Sequence, residues 1–467
     1  MVMTVTTSSG TKVTMYCLGS LTFAPQEAVK DSETHSKVLQ SLAETNDFAT
    51  AIRTWFHLVE DDNSSEAADE YVYHAIASVK LSQVQRAVEM GGNKGMHGWY
   101  KLEGGSDLLP PPPQADIESY ISIFSPSTAT ASALTAFQSN AKRSSIRLRS
   151  ATYLASKRYL ATDWHPLGNQ LIIPKVKNSA TIPCNPYFDF WAWSCRNLEW
   201  CGPVPISSSN DEEEDKIILT NPRMSHHILP IFMHHFGCAV PSHESLSLLK
   251  LLSRGKPIID MGSGNGYWTF MLRQYLTSPV YAVDNNQSEW RVMWIDDTVV
   301  TDGIKWLRSP PQNGGQDMIL LLVYPIVGGD GSAAGGKEGG FTRELLRAYK
   351  GDTIAVVGTQ NRNGYTGFKG QTMDEYMERD EERRKEGWRK VVQVPLPSFA
   401  GKDEALFVFQ RGEALVGGRS DGVGEGGAEK KKKKKRKSGK KKTANKNGED
   451  GGGNQEEEGE EPEGGDE

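Results

Sequence analysis

The segment from residue 256 to residue 272 constrains this chain more than any other: it reads Lys-Pro-Ile-Ile-Asp-Met-Gly-Ser-Gly-Asn-Gly-Tyr-Trp-Thr-Phe-Met-Leu. Pro257, Ile258 and Ile259 make a short apolar strand that ends in an acid, Asp260. Gly262, Gly264 and Gly266 alternate through the following turn. Residues 267–275 then take up a helical pattern, with Phe270 and Leu272 apolar. Glycine lacks a Cβ, so the backbone can turn tightly and a ligand can approach it closely. Strand, glycine turn and helix form the first βα unit of a nucleotide-binding sheet.

The spacing selects the ligand. A dinucleotide turn reads G-x-G-x-x-G, with the pyrophosphate on the helix N-terminus. Here the run is G-S-G-N-G followed by Tyr267; no basic side chain stands in the turn, and an acid precedes it. A ligand with a positive, amino-bearing end suits this loop better than a pyrophosphate.

Asp-Met-Gly-Ser-Gly-Asn-Gly resembles motif I, acid-x-G-x-G-x-G, of the class I S-adenosylmethionine-dependent methyltransferases, and further elements follow in that family's order. Residues 279–283 are apolar and lead to Asp284, eighteen residues after Gly266. The resemblance implies that Asp284 holds the cofactor's ribose hydroxyls, since one carboxylate can accept from both. Residues 298–301 are a short β-branched run before Asp302, where the family's acid typically contacts the adenine amino group. Residues 316–323 read as a fourth strand, apolar as a buried parallel strand should be, and 352–357 as a fifth. Helices are expected at 341–349 and 372–386. The β runs 388–394 and 405–410 are joined by ten residues, too few for a crossover helix, so they must be antiparallel.

The implied fold over residues 250–411 is α/β: a Rossmann-like, mostly parallel seven-stranded sheet with an antiparallel C-terminal hairpin. The implied cofactor is S-adenosyl-L-methionine, held by Asp260, Gly262, Gly264, Gly266, Asp284 and Asp302. Methyl transfer starts from an activated sulfonium, so the protein mainly positions the acceptor. Families that methylate amino groups often carry an acid or Asn before Pro-Pro-Tyr after the fourth strand. This chain has Val323-Tyr324-Pro325-Ile326 instead, so no catalytic residue is assigned. The acceptor stays open among RNA, protein and small molecule. The alternative reading is an inactive member of the fold serving as a binding module or scaffold. A nicotinamide-dependent oxidoreductase is disfavoured by the glycine spacing and the terminal hairpin.

Around this domain, residues 1–180 read as a mainly helical region, with one helix over 67–90 carrying Ala77, Leu81, Val84 and Val88 on a buried stripe, another over 35–60 and more over 128–160. Lys142, Arg143, Arg147, Arg149, Lys157 and Arg158 read first as a solvated helix face and second as a surface for an anionic partner. Residues 181–249 form an aromatic-rich connecting segment, with Tyr187, Phe188, Phe190, Trp191 and Trp193 close together, and a helix over 229–236. His226, His227, His234, His235 and Cys238 are read as packing rather than as metal ligands, because adjacent histidines leave a helix on different faces.

Residues 412–467 carry almost nothing apolar and are expected to be a disordered tail. Its basic block, 430–442, reads as a nuclear-import signal, an arm for RNA, or a solubilising tract. From residue 430 onward the net charge is +2, which leaves −8 on the rest, so no global charge argues for nucleic acid. No apolar run approaches the ~20 residues that span a bilayer, and the N-terminus lacks a secretory pattern. With five irregularly spaced cysteines, the chain reads as intracellular, in nucleus or cytoplasm, without a membrane partner.

Overall fold

The computed structural model describes residues 2–6, 12–16 and most of 20–415; the longest segments outside it are 59–69, 204–216, 326–339 and 416–467. The glycine-rich stretch 328–339, the acidic loop 211–215, His226, His227 and the tail therefore lie outside the described residues. Residues 1–419 cluster as one compact unit.

An eight-stranded sheet is its centre. The strands are β1 (Tyr159–Leu160), β2 (Ile258–Met261), β3 (Val280–Asp284), β4 (Val299–Val300), β5 (Ile319–Val323), β6 (Thr353–Thr359), β7 (Arg389–Pro395) and β8 (Glu404–Gln410). Their order is β4-β3-β2-β5-β6-β8-β7-β1. β4, β3, β2, β5 and β6 are parallel, with Asp260 opposite Leu321 and Ala282. β8 pairs antiparallel with β6 and with β7. Every residue of β2, β6 and β8 is buried, as strands covered on both faces require.

The sheet has eight strands where the sequence implies seven. The extra strand is β1, whose Tyr159 and Leu160 pair with Gln393 and Val392 of β7. Two residues at a helix end leave no alternation to read, yet they cover an edge that would otherwise present unpaired backbone.

Helices enclose both faces. In chain order they include α1 (Ser32–Thr45), α2 (Phe48–Trp55), α3 (Leu81–Met90), α4 (Ile146–Lys157), α5 (Pro186–Leu198), α6 (Ile228–Phe236), α7 (His243–Ser253), α8 (Tyr267–Tyr275), α9 (Gly303–Arg308), α10 (Gly340–Ala348) and α11 (Met373–Arg379). One apolar cluster joins α1, α2, α5, α6, α7 and α8 to one side of the sheet, including Leu406 and Val408. A second joins α9, α10 and α11 to the other side, including Ala405, Phe407 and Phe409. Among the described residues no helix is long and apolar enough to cross a membrane.

Three helical expectations fail in detail: the 372–386 helix breaks at extended Asp380 into Met373–Arg379 and Glu381–Lys385, and two others lie in the N-terminal region. Residues 70–80 form a hairpin, Glu70–Tyr73 against Ala77–Lys80, and only Leu81–Met90 is helical. Tyr71, Val72, Tyr73 and Val79 favour strands, and this overrides the coincidence of Ala77 with the helical stripe. The 35–60 helix breaks at Asn46, which caps α1 at φ 55°, and α2 restarts behind Asp47. The basic face on and around α4 is broken too. Arg147 turns inward to Asp116 and the Phe137 carbonyl, and Arg158 turns inward to buried Glu244.

Candidate cofactor site

β2 has a neighbour reached in one direction, β3, and another reached in the opposite direction, β5. Successive crossovers diverge there and leave a crevice at the carboxyl ends of the strands, where ligands of open α/β sheets bind. The glycine turn leaves β2 at this point.

Its backbone is held from β3. Gly262 N–H and Ser263 N–H both donate to the Val283 carbonyl, at 2.7 and 3.2 Å. Gly264 N–H donates to Asp284 Oδ2 at 2.9 Å, and Asn286 N–H to Asp284 Oδ1 at 2.6 Å. Asp284 thus braces the turn while standing half-buried at the end of β3. Residues 285–288 are not helical, so Asp284 caps no helix there.

All three glycines of the turn sit at left-handed φ: 77° for Gly262, 57° for Gly264 and 81° for Gly266. What lies against them differs. A Cβ on Gly262 would meet nothing within 4 Å. A Cβ on Gly264 would lie 2.7 Å from Trp290 Cζ2, and one on Gly266 would lie 2.4 Å from Ile295 Cγ1. Gly264 and Gly266 therefore make room for the loop that follows β3, and Gly262 alone of the three faces open space.

Asp260 is fully buried, and Thr269 Oγ1 of α8 donates to its Oδ2 at 2.7 Å. Burial pushes its carboxyl up to about 7, with Thr269 opposing and the Asp284 charge adding to the rise. Asp302 is exposed and starts α9, accepting from Lys305 N–H at 2.8 Å. It borders an open cleft of about 650 Å³ lined also by Ile304, Lys305, Arg308, Ser309 and Glu344. The next residue, Gly303, packs on Met261: a Cβ there would lie 2.4 Å from the sulfur. The structure so gathers Asp260, the turn and Asp284 tightly, and sets Asp302 beside them on the rim.

Orphaned polar atoms mark the same region. Among the described residues, Asp260 Oδ1, Ser263 Oγ, both amide atoms of Asn286, Trp290 Nε1 and Thr298 Oγ1 are buried without a hydrogen-bond partner. Buried polar groups are normally paired, so a cluster of unpaired ones fits a polar ligand bearing hydroxyl and amino groups. Of these, Ser263, Asn286, Trp290 and Thr298 are invisible to a motif search. Thr269 had a signal: it is the lone hydroxyl between Trp268 and Phe270.

The aromatic segment is α5 itself, begun by Asn185, whose Oδ1 accepts from Phe188 N–H. Tyr267 OH, at the start of α8, donates to Asn185 Oδ1 at 2.7 Å, and the Tyr187 ring stacks on Phe236 at 4.6 Å. At the end of β5, Tyr324 takes a left-handed φ of 55° while its N–H reaches the Val357 carbonyl.

The histidines divide as packing requires. His235 is buried against Phe56 and the Tyr71 hydroxyl. One cluster among the described residues has ligand spacing: His35, Cys184 and Asp189, with donor atoms within 4.8 Å of one another. Trp55 Nε1–H donates to His35 Nδ1 at 2.8 Å, so that nitrogen carries no proton. The ring proton is on Nε2, donated to Asp189, and that nitrogen offers no lone pair to a metal.

No known family profile matches the chain, and no curated protein does. A solved structure of a proposed RNA methyltransferase from Pyrococcus horikoshii aligns over 36% of this chain and 81% of its own, at 12% identity. The TM-score of 0.21 is too low for that likeness to carry an argument.

Proposed function

We propose that this chain is a methyltransferase that uses S-adenosyl-L-methionine. The observation that carries the reading is the glycine turn at the crevice of a mostly parallel sheet, set between Asp260 and Asp284, with open space at Gly262. When bound, the cofactor would supply a methyl group already activated on sulfur. The chain's own part is to bind and to orient. Asp284 offers carboxylate lone pairs to the ribose hydroxyls while its Gly264 and Asn286 bonds keep it in place. Asp260, in a dry site, favours a cationic amino group, whose charge would hold its carboxyl ionised. Asp302, on the rim, is the residue proposed for the adenine amino group.

RNA, protein and small molecules remain the acceptor classes. The test is incubation of the full chain with tritium-labelled S-adenosylmethionine and, separately, total RNA, total protein and a small-molecule extract. Label in one fraction is expected, dependent on Asp284. Tight cofactor binding with no label in any fraction would remove the enzyme and leave a binding module.

A further inference from the structure

The orphaned polar atoms around the glycine turn include a whole side-chain amide, that of Asn286. Asn286 lies two residues beyond Asp284, and its N–H donates to Asp284 Oδ1 at 2.6 Å, while Asp284 Oδ2 accepts from Gly264 N–H at 2.9 Å. One carboxylate thus ties Asn286 to the turn. The backbone there is left-handed, at φ 53°, a conformation that asparagine and glycine tolerate. That accounts for the residue type and not for its side chain. Oδ1 and Nδ2 are both buried, and neither has a hydrogen-bond partner among the described residues. Asn285, beside it, is the contrast: it is exposed, and its Oδ1 accepts from Gln287 N–H at 3.2 Å.

A buried carboxamide without partners destabilises the fold unless a group from outside the chain answers it. Asn286 as a residue is only half-buried, and it follows the end of β3, so it stands at the rim of the crevice rather than in the core. Its amide sets an acceptor beside a donor. Adenine presents the complementary pair, the N6 amino group beside the N7 acceptor. A ligand whose ribose is held by Asp284 carries its base on that same sugar. The next buried side-chain atoms along the chain with unused hydrogen-bonding capacity are those of Asn286.

We propose that Asn286 is the residue by which this site recognises adenine: Oδ1 accepts from the N6 amino group and Nδ2 donates to N7. The proposal rests on the cofactor reading above and adds its base specificity. It leaves the second N6 hydrogen to Asp302. A 6-oxopurine presents acceptors at both positions, so either orientation of the amide sets an acceptor against an acceptor, and the site rejects that base.

The probe is S-adenosylhomocysteine beside its 7-deaza analogue, which keeps the amino group and carries a C–H in place of N7. Calorimetric titration of the full chain with each ligand is compared in wild type, Asn286→Gly and Asn286→Asp, with a melt on each protein. Both substitutions keep a residue that accepts the left-handed backbone. Wild type is expected to bind S-adenosylhomocysteine about tenfold more tightly than the analogue, because the analogue leaves Nδ2 unpaired. Asn286→Gly should bind the two equally. In Asn286→Asp, whose carboxylate sets an acceptor against N7, the preference should vanish or invert. Equal affinities in wild type, or a preference that survives in either variant that melts cooperatively, overturns the proposal. Failure of wild type to bind either ligand overturns the cofactor reading and this inference with it.

Discussion

Asp284 bears both on ligand binding and on the shape of the turn. Asp284→Ala is expected to weaken S-adenosylhomocysteine binding by ~10- to 100-fold, from the loss of bonds to a charged acceptor. It should also cost ~1 to 3 kcal/mol of stability, because Gly264 N–H and Asn286 N–H lose their partner. Asp284→Asn should do less of both, since an amide oxygen still accepts. A calorimetric titration and a melt on the two variants check this; a lowered melting point with unchanged affinity would make Asp284 a brace only. At this scale the sequence carried the acids and glycines of the motif, because a strand-end acid and alternating glycines are local patterns. It did not carry the division of labour among them. That Gly264 is covered by Trp290 and Gly266 by Ile295 depends on how a later loop folds back.

The glycine turn gives the matching comparison between elements. A Cβ on Gly262 costs only its left-handed φ, ~1 to 2 kcal/mol, and projects into open space. One on Gly266 pays that and collides with Ile295. Gly262→Ala is therefore expected to fold with a modest fall in melting temperature and to lose cofactor affinity. Gly266→Ala should lose stability first. Equal melting points, with affinity kept in Gly262→Ala, would show that the open space is not the ligand's. The parallel strands and the helix after the turn were legible because each is a continuous apolar run or a clear period. The 70–80 hairpin and β1 were not. The hairpin's strands are four residues each and β1 has two, so pairing across the chain decides them rather than local pattern.

The molecule as a whole buries carboxyls that titrate high. Burial raises Asp260 to about 7, Asp403 to about 6 and Glu404 to about 8. Between about pH 4 and pH 8 the folded chain keeps protons that the unfolded chain has released, so stability falls as pH rises through that window and levels off above it. A melting series from pH 5 to pH 8.5 should show this fall, and Glu404→Gln should flatten its upper part; a curve that rises with pH would contradict it. Removal of residues 420–467 is expected to leave the melting temperature and cofactor affinity unchanged, since that sequence has almost nothing apolar to bury. If the 430–442 block is an import signal, the same truncation lowers nuclear accumulation. Cofactor binding is tested by titrating the full chain calorimetrically with S-adenosylmethionine, S-adenosylhomocysteine and NAD side by side. Saturable binding of the first two and none of NAD is the expected result; saturable NAD binding with no response to S-adenosylhomocysteine would contradict the account.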